Sequence, residues 1–269
     1  MKIFFVGGGN MGAAMAGGLV ARGIAPTDIT VLEPHAPARE ALVARLGVSG
    51  VALATQWPAA DVAVLAVKPQ QMRAAVAALG APPPGMLVVS IAAGVRIAAL
   101  SRWLGGHGAV VRAMPNTPAL VRAGITGLYA PAAVSQAHRQ SADALLKAVG
   151  ETVWLQSESD LDAVTAVSGS GPAYVFYFIE ALEQAGREMG LEPDAARQLA
   201  VQTFLGAATL AAARAEDPAE LRAQVTSKGG TTERAVAQLD HAAVKAAFIS
   251  AVKAARERSA ELGAALGEG

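Results

Sequence analysis

Lys2-Ile3-Phe4-Phe5-Val6-Gly7-Gly8-Gly9-Asn10-Met11-Gly12 begins as an apolar run, stops at three consecutive glycines and takes a fourth after Asn10 and Met11. A short unbroken run of Ile, Phe and Val is the pattern of a strand buried on both faces. Beyond it Met11, Met15 and Leu19 recur at four-residue spacing, one face of a helix that ends near Gly23. A strand, a turn with glycine at Gly7, Gly9 and Gly12, and then a helix have a shared physical logic. The first glycine permits a tight turn, the second lets backbone approach a pyrophosphate, and the third lets helix and strand pack closely. The phosphates of a dinucleotide then sit at the positive end of the helix. The plainer alternative is a glycine turn that only joins strand to helix, and the flanking elements weigh against it.

The alternation continues outward from this turn. Runs rich in Val, Ile and Leu at 2–6, 29–33, 62–67, 87–91, 109–113, 126–130 and 151–155 are bounded by Gly, Pro or Asp and separated by helical stretches. That is the pattern of a mostly parallel α/β sheet, with antiparallel pairing open to its last strands. At Ser157-Glu158-Ser159-Asp160 the texture changes, as capping residues open a long helical stretch. The expected division is therefore 1–158, an α/β domain, and 159–269, an all-α domain. Helices are expected over 160–189 with a break near Gly169-Ser170-Gly171-Pro172, over 194–215, over 218–226, and over 232–262 with a break near Asp240. They are rich in Ala, Leu and Val and poor in charge. Either a second subunit or a plain intramolecular bundle completes such a core.

Composition excludes several classes. Of 269 residues 53% are hydrophobic but only 4% aromatic, and 22 Lys and Arg balance 22 Asp and Glu. Balanced charge gives no general attraction to a polyanion, and scarce aromatics give no stacking platform, so nucleic acid is not an expected partner. The absence of cysteine removes disulfides, thiolate nucleophiles and thiolate metal sites, and fits a cytoplasmic location. The four histidines, His35, His107, His138 and His241, show no metal-ligand spacing, so no metal is expected. The apolar start is too soon broken by glycine for a secretory signal. The uncharged stretch from Ala74 to Val95 is divided by Pro82-Pro83-Pro84-Gly85 and reads as a helix end, a loop and a buried strand, so no membrane partner is expected.

Polar groups at strand ends mark the site, because ligands of open parallel sheets bind beyond the carboxyl ends of the strands. Glu33 closes the second strand 21 residues after Gly12, where a carboxylate can accept from a ribose 2′-hydroxyl; this leans toward NAD(H), although His35 and Arg39 follow closely. Lys68 ends the run Asp61 to Val67 ahead of Pro69, either to contact the cofactor or as a solvated charge. Met114-Pro115-Asn116-Thr117-Pro118 fixes Asn116 between two prolines, which can aim an amide or simply make a rigid turn. In the second domain, Thr226-Ser227-Lys228-Gly229-Gly230-Thr231-Thr232 precedes a helix. Its backbone N–H groups and hydroxyls suit a small carboxylate, while Thr231 or Thr232 would equally serve as a helix cap. Ser168-Gly169-Ser170-Gly171-Pro172-Ala173-Tyr174 is a second small-residue break, fit for a close helix crossing or approach to a cofactor.

Taken in order, Gly7 to Gly12, Val67-Lys68-Pro69-Gln70, Met114 to Pro118, Ser168 to Tyr174 and Thr226 to Thr232 resemble the motifs of the pyrroline-5-carboxylate reductases over essentially the whole chain. The last segment, continued through Glu233-Arg234-Ala235-Val236 to Asp240, is the most specific of them. The resemblance implies an α/β N-terminal Rossmann domain plus an all-α C-terminal dimerisation domain, in a homodimer or a larger ring of dimers. It implies NADP(H) or NAD(H) held by Gly7, Gly9, Asn10, Met11, Gly12, Glu33, Val67, Lys68, Pro69 and Asn116. It also implies a substrate carboxylate held by Ser227, Gly229, Gly230, Thr231 and Thr232, with Thr232 the catalytic residue near the ring nitrogen. The implied reaction is hydride transfer to the imine carbon of Δ1-pyrroline-5-carboxylate, which becomes C5 of the product L-proline, the last step of proline biosynthesis. Glu33 departs from the pattern, because the family commonly favours NADPH and a phosphate-binding group would be expected there.

Two other readings compete. A β-hydroxyacid dehydrogenase shares the general plan but resembles this chain less, since Tyr174-Val175-Phe176-Tyr177-Phe178-Ile179 offers no lysine as acid or base. A non-catalytic dinucleotide sensor would need the first glycine loop but not the second.

Overall fold

Successive residues of a strand face opposite sides of a sheet, and a strand covered on both sides can be apolar throughout. In the computed structural model, which describes residues 1–267, the first strand does this. Ile3 and Phe5 of β1 (Ile3–Val6) enter the core on one face, while Phe4 and Val6 enter the core on the other. The same division runs through β4 (Val62–Leu65), where Val62 and Val64 oppose Ala63 and Leu65.

The elements up to the end of the sheet follow one another as β1, α1 (Asn10–Ala21), β2 (Ile29–Leu32), α2 (Ala36–Leu46), β3 (Ser49–Val51), β4, α3 (Pro69–Leu79), β5 (Leu87–Ser90), α4 (Ile97–Trp103), β6 (Val110–Met114), β7 (Gly124–Tyr129), α5 (Gln136–Leu146) and β8 (Gly150–Trp154). The sheet order is β3-β2-β1-β4-β5-β6-β7-β8. Ile3 is in register with Ile29 on one side and Val62 on the other, so the strand order reverses at β1, which creates a crevice at the carboxyl ends of β1 and β4. Antiparallel pairing is confined to β6 with β7, and β8 returns parallel to β7. The expected strands are all present; β3 was not anticipated, being three residues long with an exposed glycine at its centre. The stretch from Ala74 to Val95 resolves into the end of α3, a proline turn and β5, and among the described residues no helix is long and apolar enough to cross a membrane.

The remaining elements are helical: α6 (Asp160–Val164), α7 (Gly171–Glu188), α8 (Pro193–Ala213), α9 (Pro218–Gln224), α10 (Thr231–His241) and α11 (Val244–Gly267). The expected break near Gly169 is a π-turn over Thr165–Gly169, closed by the Ser170 N–H on the Thr165 carbonyl at 2.8 Å. The chain forms two compact units. Met1–Ser170 with the end of α11 from Ala255 is one, and Gly171–Ala254 is the other.

In the first unit, charged groups inside the structure are paired. Burial draws the Arg112 guanidinium of β6 below its ordinary pKa, and Glu158 opposes this by accepting from Nη1 at 2.8 Å. Glu158 also accepts from the Ile97 N–H at 2.7 Å. Beside it the buried Asp162 accepts from Arg96 and, at 2.9 Å, from Ser259 of α11. The second unit buries little of its own. Ala196 and Ala200 are its only buried hydrophobics among the described residues, whereas Phe176 and Tyr177 are 65% and 68% exposed. Tyr174 and Phe178 pack edge-on against Phe248, but the buried Tyr174 hydroxyl has no hydrogen-bond partner among the described residues.

Removing the Glu158 carboxylate strands a buried cation, a change that costs about 3 kcal/mol in comparable pairs. Glu158→Ala should therefore lower the urea midpoint markedly, and Arg112→Met added to it should restore part of the loss. A midpoint unchanged by Glu158→Ala would show that the pair does not brace this end of the sheet.

Candidate active site

Three glycines shape the β1–α1 turn in different ways. Gly7 has φ +109°, a conformation that favours glycine, and a Cβ there would come within 2.9 Å of the Ala66 carbonyl group. A Cβ on Gly12 would stand 2.5 Å from the Gly7 carbonyl oxygen, so glycine is what lets α1 press onto the end of β1. At Gly9 a Cβ would meet nothing within 4 Å, leaving that side of the turn open. Gly9 is also the N-cap of α1, without a side-chain cap and with no acidic residue in the first turn. The first N–H groups of the helix, and its positive end, therefore stay available to an anion. Asn10 is exposed at the start of α1, while Met11 packs against the core. From Gly8, Gly9 and Asn10 a pocket of about 390 Å³ continues along α1 to Arg45 and Arg122.

Glu33, one residue beyond β2, meets this turn directly. Its Oε2 accepts from the Gly8 N–H at 3.0 Å and its Oε1 from the His35 N–H at 2.9 Å. Val67 lies against Gly7, 3.0 Å from where a Cβ would stand. Exposed Lys68 is the N-cap of α3 and Pro69 its first residue, where a missing N–H costs nothing. Thus the carboxyl ends of β1, β2 and β4 bring Gly7 to Gly12, Glu33 and Val67 to Pro69 to one edge. Asn116 is placed differently. It is buried, its amide nitrogen donating to the Ser168 carbonyl at 3.1 Å and its oxygen accepting from the Ile125 N–H at 2.9 Å. The amide so ties the end of β6 to β7 and to the π-turn.

In the second unit the chain from Ser227 to Gly230 is a tight turn, with Gly229 at φ +74° and the Gly230 N–H on the Ser227 carbonyl at 3.0 Å. A Cβ on Gly230 would stand 2.8 Å from Ser227 Oγ. The N-cap of α10 is Gly230, and no side chain caps the helix. Neither Thr231 nor Thr232 therefore spends its hydroxyl on the cap; Thr231 is exposed and Thr232 half-buried. Glu233 was not singled out in the sequence, yet its Oε2 accepts from the Gly229 N–H at 2.6 Å. A carboxylate thus already occupies one donor of this turn. The recognisable signal was a Glu in the first helical turn, placed to reach back to a free backbone N–H. Gly229, Gly230, Thr231 and Glu233 line an open pocket of about 800 Å³ that Arg234 and Ala237 complete.

The donors at the first turn suit the pyrophosphate of a dinucleotide, because they are uncapped backbone N–H groups beside an open face. Among the described residues no group of three or more His, Asp or Glu could hold a metal ion. The family described as pyrroline-5-carboxylate reductase dimerisation matches residues 158–262, and that described as NADP oxidoreductase, coenzyme F420-dependent, matches residues 2–94. The chain is 47% identical to the pyrroline-5-carboxylate reductase of Pseudomonas aeruginosa over 99% of its own length and 98% of that protein. It is similar to a solved pyrroline-5-carboxylate reductase of Coxiella burnetii, with TM-score 0.91 and 39% identity over 97% of this chain and 98% of that one. The Plasmodium falciparum pyrroline carboxylate reductase, solved with NADP bound, matches with TM-score 0.84 and 28% identity over 98% of both chains.

Gly12→Val should separate α1 from β1, since a branched side chain would displace the Gly7 carbonyl at a cost of about 1–3 kcal/mol. Dinucleotide titration of the folded variant should show a large loss of affinity. Undiminished binding would mean that the close helix–strand contact does not shape the anion site.

Proposed function

The chain belongs to the pyrroline-5-carboxylate reductase family, and from that premise we propose that it reduces Δ1-pyrroline-5-carboxylate to L-proline with NADH or NADPH, the last step of proline biosynthesis. The observation that carries this reading is the uncapped Ser227–Thr232 turn, where a carboxylate already rests on a backbone N–H. A protein that only senses dinucleotides needs no such second anion site. When bound, the reduced nicotinamide supplies the hydride.

The residues then divide the remaining work. Gly7, Gly9, Asn10, Met11 and Gly12 hold the pyrophosphate through backbone N–H groups, Glu33 faces the adenosine ribose, and Val67, Lys68 and Pro69 border the cofactor at the end of β4. Asn116 acts by bracing the neighbouring backbone at the end of β6. Ser227, Gly229, Gly230, Thr231 and Thr232 hold the substrate carboxylate, and the Thr232 hydroxyl orients the ring nitrogen as the catalytic residue. A protonated imine is already a good hydride acceptor, so positioning and fixed dipoles suffice. The exposed apolar residues of α7 and α8 pair with a second copy in a homodimer, and a ring of dimers is the larger assembly that this reading allows. Biosynthetic chemistry in a chain without cysteine fits the cytoplasm.

Loss of reduced-nicotinamide absorbance with pyrroline-5-carboxylate tests the reaction. Consumption with either dinucleotide supports it; none, from folded protein that binds a dinucleotide, overturns it in favour of a sensor. Thr232→Val should lower kcat by roughly 100-fold, the cost of one lost transition-state donor. An unchanged kcat would reduce Thr232 to a helical residue. Glu233→Gln should lower KM for the imine, because the substrate carboxylate no longer competes with a charged side chain for the Gly229 N–H; a raised KM would instead make Glu233 a support of the turn.

A further inference from the structure

NADH and NADPH differ in one group, the 2′-hydroxyl or 2′-phosphate of the adenosine ribose. In this kind of sheet that ribose lies at the carboxyl end of the second strand, which here is β2 followed by Glu33. The Glu33 side chain is fixed there. Its two oxygens are held by the N–H groups of Gly8 at 3.0 Å and His35 at 2.9 Å. Its own N–H donates to the Val51 carbonyl at 2.9 Å. The side chain also lies close over the glycine turn, its Cβ 3.1 Å from where a Cβ on Gly8 would stand.

Those two backbone donors are the kind that an incoming phosphate needs, and a carboxylate of the chain already holds them. The nearest following cation offers little relief. Arg39 directs Nη1 to the carbonyls of Glu33 at 2.8 Å and Pro34 at 3.2 Å, so this arm of the guanidinium closes the strand end. A 2′-phosphate would thus meet a like charge and a spent donor set, whereas a 2′-hydroxyl would meet an acceptor. Specificity arises here from the group that repels as much as from the one that attracts.

We propose that Glu33 makes this chain selective for NADH, its carboxylate accepting from the ribose 2′-hydroxyl and excluding the 2′-phosphate of NADPH. The inference rests on the reductase reading but deepens it, fixing which dinucleotide the site takes. It can be tested without turnover. The full-length protein is titrated separately with NADH and NADPH, following nicotinamide fluorescence with no imine present, and then with AMP and adenosine 2′,5′-bisphosphate as fragments. NADH should bind at least about tenfold tighter than NADPH, the scale of one unfavourable charge contact at a partly exposed site, and AMP tighter than the bisphosphate. Glu33→Ser should narrow or reverse the ratio. Glu33→Gln keeps the shape of the side chain, and should gain affinity for NADPH even if the serine variant proves unstable. Wild-type protein that binds NADPH as tightly as NADH overturns the inference and leaves the reductase reading intact. So does a loss in both variants that is equal for the two dinucleotides, since Glu33 would then only shape the turn. Folded wild-type protein that binds neither dinucleotide overturns both.

Discussion

The contact between α1 and the end of β1 sets the terms for the rest of the molecule. Because Gly12 has no Cβ, the helix start presses against the Gly7 carbonyl, and because Gly7 adopts a positive φ, the chain turns sharply enough to reach it. The consequence is a helix whose first N–H groups emerge at the point where the strand order reverses. In a chain of balanced charge it is such oriented backbone dipoles, and not net charge, that suit an anion. The Ser227–Thr232 turn uses a related device in the second unit, with Gly230 as the cap, although there Glu233 in the first helical turn holds the Gly229 N–H.

In both turns a glutamate of the chain takes one of the glycine N–H groups: Glu33 on Gly8 and Glu233 on Gly229. These carboxylates occupy a backbone donor at each turn. They also set a condition on any ligand, which must either work around the resident anion or displace it.

Stability is distributed unevenly between the units. The sheet is covered on both faces and braces its buried charges in pairs, Arg112 with Glu158 and Arg96 with Asp162. A hydrogen bond from Ser259 to Asp162 fastens the last part of α11 to this arrangement. The segment Gly171–Ala254, by contrast, leaves large apolar side chains such as Phe176, Leu199 and Leu205 at its surface. The family described as pyrroline-5-carboxylate reductase dimerisation matches residues 158–262, which include this segment.

The identity and order of nearly every element were legible in the sequence, because they depend on local properties. Apolar runs of strand length, glycines at Gly7, Gly9 and Gly12, prolines at Pro69, Pro193 and Pro218, and the break near Asp240 all act within a few residues. The ordered motifs, above all Thr226 to Asp240, carried the resemblance to the family as well. What the sequence did not contain were the partners of its polar groups. That Asn116 joins Ser168 to Ile125, that Arg112 needs Glu158, and that Glu33 sits on Gly8 are pairings across 9 to 52 residues of chain. The short edge strand β3, the antiparallel step confined to β6 and β7, and the π-turn at Thr165–Gly169 belong to the same class. Each of these is settled by which donors and acceptors the packed sheet brings within about 3 Å of one another, and only the folded chain fixes that distance.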